Sequence, residues 1–431
     1  MEPELSTIEP QPVAWHPVHR FFFRFFLAYL VLYNFPFPLN ELPYVAEWLG
    51  FYDTLWNGAV TWTGKHLFHL DVTVLPNGSG DTTYNYIQLL VLATVAAVAS
   101  LAWTILDRRR TQYTRLYDWL RIYVRFCLAA AMISYGGVKI IKSQFPSPTL
   151  DRLVQPVGDL SPMGLLWIFM GTSQSYNIFT GLCEFLGGVL LTARRTLLLG
   201  ALLSIAVLSN IVMLNFSYDV PVKLYSLHLL AMAVFLCLPD LRRLANFLVL
   251  NRPVEPIALT PLFQRKWLNR GALVLRTLLI VWLAWLALSS GWAGRTTYGD
   301  LAPRAKLYGI WNVETFAADG QVLPPLITDP FRWRRMIFDR PIRMSIQAMS
   351  DSRRRFLYKQ DPKSHVLKLT KVEDPKWNAT LTYTQTAPDA VTMEGTFDGK
   401  KIRATLKRSD TSDFLLISRG FHWINEYPLN H

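Results

Sequence analysis

Long apolar runs alternate with short polar connections along the first two thirds of the chain, and a different rhythm replaces them afterwards. The runs fall at about 21–37, 84–106, 118–141, 165–192, 196–216, 221–239 and 270–290. A hydrocarbon core of roughly 30 Å takes about 20 apolar residues per helical crossing, so the pattern predicts a polytopic α-helical membrane bundle of about seven crossings over 21–292. The fourth run is interrupted by Gly171-Thr172-Ser173-Gln174-Ser175, which predicts either one long helix or a re-entrant element leading into a helix. From about Tyr298 to His431 the sequence alternates in steps of two between turn signals such as Asp319-Gly320, Asp361-Pro362, Asp374-Pro375 and Asp398-Gly399. Strands are predicted at about 306–316, 333–347, 354–359, 365–372, 378–384, 390–396, 400–407 and 413–419. Eight short strands fit a small, lipocalin-like antiparallel β-barrel over 298–431, whose interior either holds a small apolar ligand or is filled by side chains.

Charge orients this arrangement. Assigning alternate loops to opposite sides puts fourteen Lys and Arg residues on one side and four on the other, which predicts a cytoplasmic amino-terminal segment (1–20), an extracytoplasmic barrel and residence in the inner, cytoplasmic membrane. The formal charge of +13 therefore reads as orientation in a lipid bilayer, with no nucleic-acid partner. The first run has no Ala-x-Ala site after it and is read as a retained helix. An outer loop, 38–83, places Trp48, Phe51 and Tyr52 at helical spacing, as an interfacial amphipathic helix or part of a folded cap would. Asn77, Asn215 and Asn378 head sequons that carry no weight on their own. Cys127, Cys183 and Cys237 lack metal-ligand spacing, and one His and one Glu in the bundle give no metal constellation.

Candidate chemistry lies with polar groups inside apolar runs, where each costs free energy. Lys139 stands about seven residues before Pro146 and is either a snorkelling lysine or a base or anion partner, with Lys142 better placed to snorkel. Glu184 shares a face with Asn177, Thr180, Gly181, Gly187 and Gly188, so it points toward the bundle, either to a structural partner such as Arg125 or to a site. His228 lies at the depth of Lys139 with Tyr225 on its face. Catalytic candidates are thus Lys139, Glu184 and His228, with Tyr135, Gln174, Asn177, Asn210 and Tyr225 as ligand-binding candidates.

Tyr135-Gly136-Gly137-Val138-Lys139, followed by Glu184-Phe185-Leu186-Gly187-Gly188 and Arg194-Arg195, resembles the DoxX/DoxD family of bacterial membrane proteins over about 118–240. Gly137-Val138-Lys139 also resembles the membrane half of the vitamin K-dependent γ-carboxylases, whose paired lysines are replaced here by Ile140-Ile141. The resemblance implies a redox enzyme or a redox-complex subunit with a quinone near the outer face and a membrane or periplasmic redox partner. A lipid- or partner-binding role for the barrel is the alternative. The ending, Arg419-Gly420-Phe421-His422-Trp423-Ile424-Asn425-Glu426, is expected to pack across the barrel mouth.

Overall fold

The computed structural model describes residues 14–42, 44–74, 78–256, 263–361 and 364–430. Residues 1–13 of the amino-terminal segment, the sequon residue Asn77 and Pro362 of one expected turn lie outside them. The chain divides into two compact units: Met1–Ile140 with Ile178–Ser290, and Ile141–Asn177 with Gly291–His431.

The helices are α1 (Pro17–Asn34), α2 (Gly50–Leu67), α3 (Thr83–Leu106), α4 (Thr114–Ile140), α5 (Pro162–Thr172), α6 (Gln174–Thr192), α7 (Leu197–Ser217), α8 (Lys223–Cys237) and α9 (Lys266–Thr297). By length and composition, five helices among the described residues can cross a membrane: Pro17–Glu41, Thr83–Leu106, Leu197–Ser217, Lys223–Val249 and Lys266–Thr297. Local chemistry sets their ends. Pro17 opens α1, where its missing N–H costs nothing, and Thr82 with Asn85 forms a reciprocal capping box at the start of α3. The interrupted fourth run is two helices, α5 and α6, parted at Ser173, whose backbone is extended at ψ 109°. Trp48 ends a single turn, and Phe51 and Tyr52 lie in the first turn of α2.

The first unit has an apolar core built chiefly from α4, α7 and α8, including Val124, Leu128, Met132, Leu208, Met232 and Leu236. Arg24, inside the apolar run of α1, is buried yet fully engaged: its guanidinium donates to Thr104 Oγ1 (2.7 Å), to the Asp107 carbonyl (3.2 Å) and to the Tyr113 hydroxyl.

In the second unit the strands are β1 (Gly309–Ala318), β2 (Gln321–Val322), β3 (Trp333–Arg340), β4 (Arg343–Ala348), β5 (Arg353–Asp361), β6 (Val366–Lys371), β7 (Asn378–Ala387), β8 (Ala390–Phe397) and β9 (Lys400–Arg408). Each pairs antiparallel with its neighbour in sequence except that β2 pairs only with β1, and β1 also pairs with β9. The result is a closed eight-stranded up-and-down barrel with no free edge. Alternation sends every second side chain inward, as in β7, where Ala379, Leu381 and Tyr383 are buried between exposed neighbours. Side chains fill the interior: Phe316, Trp333, Phe338, Phe356, Leu367, Leu381 and Phe397 are inaccessible to solvent and belong to one cluster. At Asp319-Gly320 and Asp398-Gly399 both residues have positive φ, the geometry that joins twisted strands in tight hairpins.

Two expectations fail here. The stretch 333–347 is a hairpin, β3 and β4, because Pro341 and Ile342 turn the chain. The stretch 413–419 is a short helix, Leu415–Ser418, after a turn; a brief continuous apolar run fits helix and strand equally. The ending does not close the barrel either. Phe421, Trp423, Ile424 and Tyr427 are more than three-quarters exposed.

The second unit also takes in the 141–177 segment. Asp151 accepts from Ser345 Oγ of β4 at 2.7 Å and pairs with Arg353 (3.3 Å) and Arg355 (3.5 Å) of β5. Leu150 packs with Ile310 and Ile337 in a small cluster outside the barrel core. Lys142, expected to snorkel, is instead buried and donates to Ser147 Oγ (2.6 Å) and Asp300 Oδ2 (2.9 Å).

Candidate functional site

In the first unit, α4 and α6 approach to backbone contact because glycines face each other. A Cβ on Gly136 would lie 2.5 Å from the Phe185 nitrogen, and one on Gly188 would lie 2.8 Å from the Ala129 carbonyl. This close approach brings Lys139 of α4 to Glu184 of α6. The Lys139 ammonium donates to Glu184 Oε1, and both residues are buried, at 7% and 2% exposure. The partner of Glu184 is therefore Lys139, not Arg125. Its second oxygen, Oε2, is buried without a hydrogen-bond partner. Two charges removed from water this way are held by mutual attraction and hydrogen bonding, which offset a desolvation cost of several kcal/mol per ion.

His228 of α8 is fixed by two short contacts. Its Nδ1 lies 2.7 Å from the Leu224 carbonyl, and its Nε2 lies 2.7 Å from the Tyr29 hydroxyl of α1. A carbonyl only accepts, so Nδ1 carries the proton in the neutral ring and Nε2 accepts from Tyr29. The Tyr33 ring stacks on the imidazole, with centroids 4.0 Å apart. Tyr135 and Tyr225 meet at 5.9 Å, both are within electrostatic reach of Tyr33, and Tyr135 is within reach of Glu184. A chain of polar aromatic groups thus runs from the buried ion pair to His228.

Tyr33 is also one wall of a cavity of about 130 Å³ lined by Tyr52, Asp53, Trp56 and Asn57 of α2 and by Tyr84 and Gln88 of α3. An apolar cavity of about 150 Å³ accommodates benzene, so this volume suits one six-membered ring. Its polar lining is fixed in place: Tyr84 donates to Asn57 Oδ1 at 2.5 Å, and Tyr52 donates to the Leu32 carbonyl at 3.2 Å. A second cavity, about 260 Å³, lies between 70–73 and 82–84, shares Tyr84 with the first and is lined by none of the candidate residues.

The candidates thus divide. Lys139, Glu184, Tyr135, Tyr225 and His228 fall in one polar aromatic region of the first unit. Asn177 is buried and donates to the Phe145 carbonyl at 3.1 Å within the second unit, a structural bond. Gln174 is exposed at the start of α6, and Asn210 is exposed on α7. The buried asparagine of α7 is Asn215, which donates to Ser226 Oγ at 3.0 Å. Sequence reasoning missed Tyr29, Tyr33, Asp53 and Asn57. The four-residue spacing of Tyr29 and Tyr33 within an otherwise apolar helix was the available signal.

A 119-residue stretch of the chain is 33% identical to the uncharacterized protein YwoB of Bacillus subtilis (strain 168), covering 28% of this chain and 75% of that protein. No protein-family model matches the chain, and no solved structure matches it.

Proposed function

This chain belongs to the same family as the Bacillus subtilis protein YwoB, and from that premise we propose that it is a multi-pass membrane protein that binds a quinone-like ring beside Tyr33 and His228 and exchanges protons with it. The observation that carries this reading is a ring-sized cavity with Tyr33 as a wall, stacked at 4.0 Å on a histidine that is itself hydrogen-bonded to Tyr29. Aromatic faces suit a planar ring, and the Tyr33 hydroxyl with the amide N–H groups of Asn57 and Gln88 suits its oxygens. Such a ring, when bound, would supply the capacity to take up electrons, delivered by a membrane or periplasmic redox partner. His228 exchanges a proton at Nε2 with the Tyr29 hydroxyl bonded to it, as a positioned imidazole does in general acid–base work. Lys139 and Glu184 form a buried pair whose net charge changes when the pair gains or loses a proton, and Tyr135 and Tyr225 lie between them and Tyr33. The amino terminus is cytoplasmic and the barrel extracytoplasmic in the inner membrane, in keeping with the loop charges. The competing role, capture of lipid inside the barrel, is weakened by an interior filled with side chains.

The test is binding of the single-ring quinone duroquinone to the full chain in detergent, followed by quenching of tryptophan fluorescence. His228→Asn and Tyr33→Phe should each weaken binding at least tenfold, about 1.4 kcal/mol, and Lys139→Met should weaken it less. A parent protein that does not bind duroquinone, or variants that bind as tightly as the parent, would overturn the reading.

A further inference from the structure

At the arginine-rich end of the first unit, four guanidinium groups converge from three places in the chain. Arg121 and Arg125 lie one turn apart on α4, Arg194 lies in the α6–α7 turn, and Arg276 projects from α9. Arg125 is within electrostatic reach of all three others. It is only 8% exposed, and its guanidinium stands 4.9 Å over the Phe126 ring. The Nε groups of Arg121, Arg125 and Arg276 are buried without a hydrogen-bond partner. Two carboxylates, Asp118 and Asp240, act on Tyr117 together with Arg121, and Asp240 is held by Arg243 at 2.7 Å.

The contrast with Arg24 is instructive, since that buried guanidinium has partners on all three nitrogens. A buried, unsatisfied donor keeps its desolvation cost, and like charges that converge in low dielectric repel one another. Both costs fall when an anion sits among the arginines. Guanidinium forks match phosphate oxygens in a bidentate fashion, and basic pockets between membrane helices on the positive-inside face meet anionic headgroups. We propose that Arg121, Arg125, Arg194 and Arg276 form a binding site for a phosphate oxyanion, carried by the headgroup of an anionic phospholipid or present as free phosphate.

The experiment uses the full chain in neutral detergent, with the thermal midpoint read against added dioleoylphosphatidylglycerol, dioleoylphosphatidylcholine or sodium phosphate. A ligand that binds only the folded state raises that midpoint in proportion to its affinity. Phosphatidylglycerol should raise it and phosphatidylcholine should not; a rise with sodium phosphate at equal concentration identifies free phosphate as the source, and its absence identifies the lipid. In Arg125→Gln the midpoint-derived affinity should fall at least tenfold. If Arg125→Gln does not fold, Arg276→Gln, at a partly exposed position, is read in the same way. The proposal is overturned if neither phosphatidylglycerol nor phosphate moves the parent midpoint, or if both arginine variants respond as the parent does.

Discussion

Lys139 and Glu184, forty-five positions apart, form an ion pair inside a helical unit, and each has almost no exposure. Two facing rows of glycines permit it, because side chains at Gly136, Gly181 or Gly188 would hold the helices too far apart for the ammonium to reach the carboxylate.

The pair should behave as a unit. Lys139→Met alone or Glu184→Gln alone leaves one uncompensated buried charge or a partnerless ammonium, an expected loss of about 3–5 kcal/mol. The double variant Lys139→Met/Glu184→Gln should recover most of that loss. Thermal unfolding of the four proteins in one detergent completes the cycle, and additive single losses would refute the coupling.

Asp151 fastens the 141–177 segment to the outside of the barrel wall through Ser345, Arg353 and Arg355. Asp151→Ala removes three partners from a half-buried carboxylate site and should cost about 1–3 kcal/mol. Limited proteolysis should then cut within 141–177 faster than in the parent while β1 to β9 stay protected. Unchanged cleavage would mean that Leu150 packing and the Asp300 bonds to Lys142 and Ser147 suffice to hold the segment.

Acid should loosen the second unit through two carboxylates. Burial acts to raise the pKa of Asp300, but hydrogen bonds from Lys142 and Ser147 hold it below the ordinary carboxylate range. Asp398 follows the same logic, with Arg354, Lys371 and Trp377 prevailing over burial. A depressed folded pKa contributes stability above the unfolded value of about 3.9, and that contribution is lost as pH falls through the folded value. The thermal midpoint should therefore drop below about pH 4, with a shallower drop in Asp300→Asn and in Asp398→Asn. Asp339 has the opposite sign, since burial raises its pKa and its cost at neutral pH is relieved on acidification. An acid limb identical in all three proteins would remove these two groups from the account.

Much of the fold was legible because it rests on long, uniform signals. Apolar runs of twenty residues and strict alternation in β7 leave little choice of element. The barrel's strand number came out at eight only because two misreadings cancelled, the β3–β4 hairpin taken as one strand and Leu415–Ser418 taken as another. Site residues were half legible. Polar groups inside apolar runs drew attention to Lys139, Glu184 and His228, but their partners were hidden. Tyr29 lies 199 positions from His228, and no local pattern encodes that distance. Asn210 was chosen over Asn215 because a helix apolar on every face does not reveal which side meets protein and which meets lipid; five residues rotate a side chain by about 140°.

Pairing of β1 with β9 makes the barrel's first and last strands mutual neighbours, over a register that runs from Trp311 with Arg408 to Ala318 with Ile402. The cylinder therefore cannot seal until nearly all of its sequence has been synthesised and delivered to the compartment where it folds. Until β9 arrives, β1 and β8 each present an unsatisfied row of backbone donors and acceptors, together with Phe316, Trp333 and Phe397 of an unfinished core. Biogenesis, more than equilibrium stability, is thus the stage at which this barrel is vulnerable, and a chaperone acting there would meet an open sheet with an apolar face.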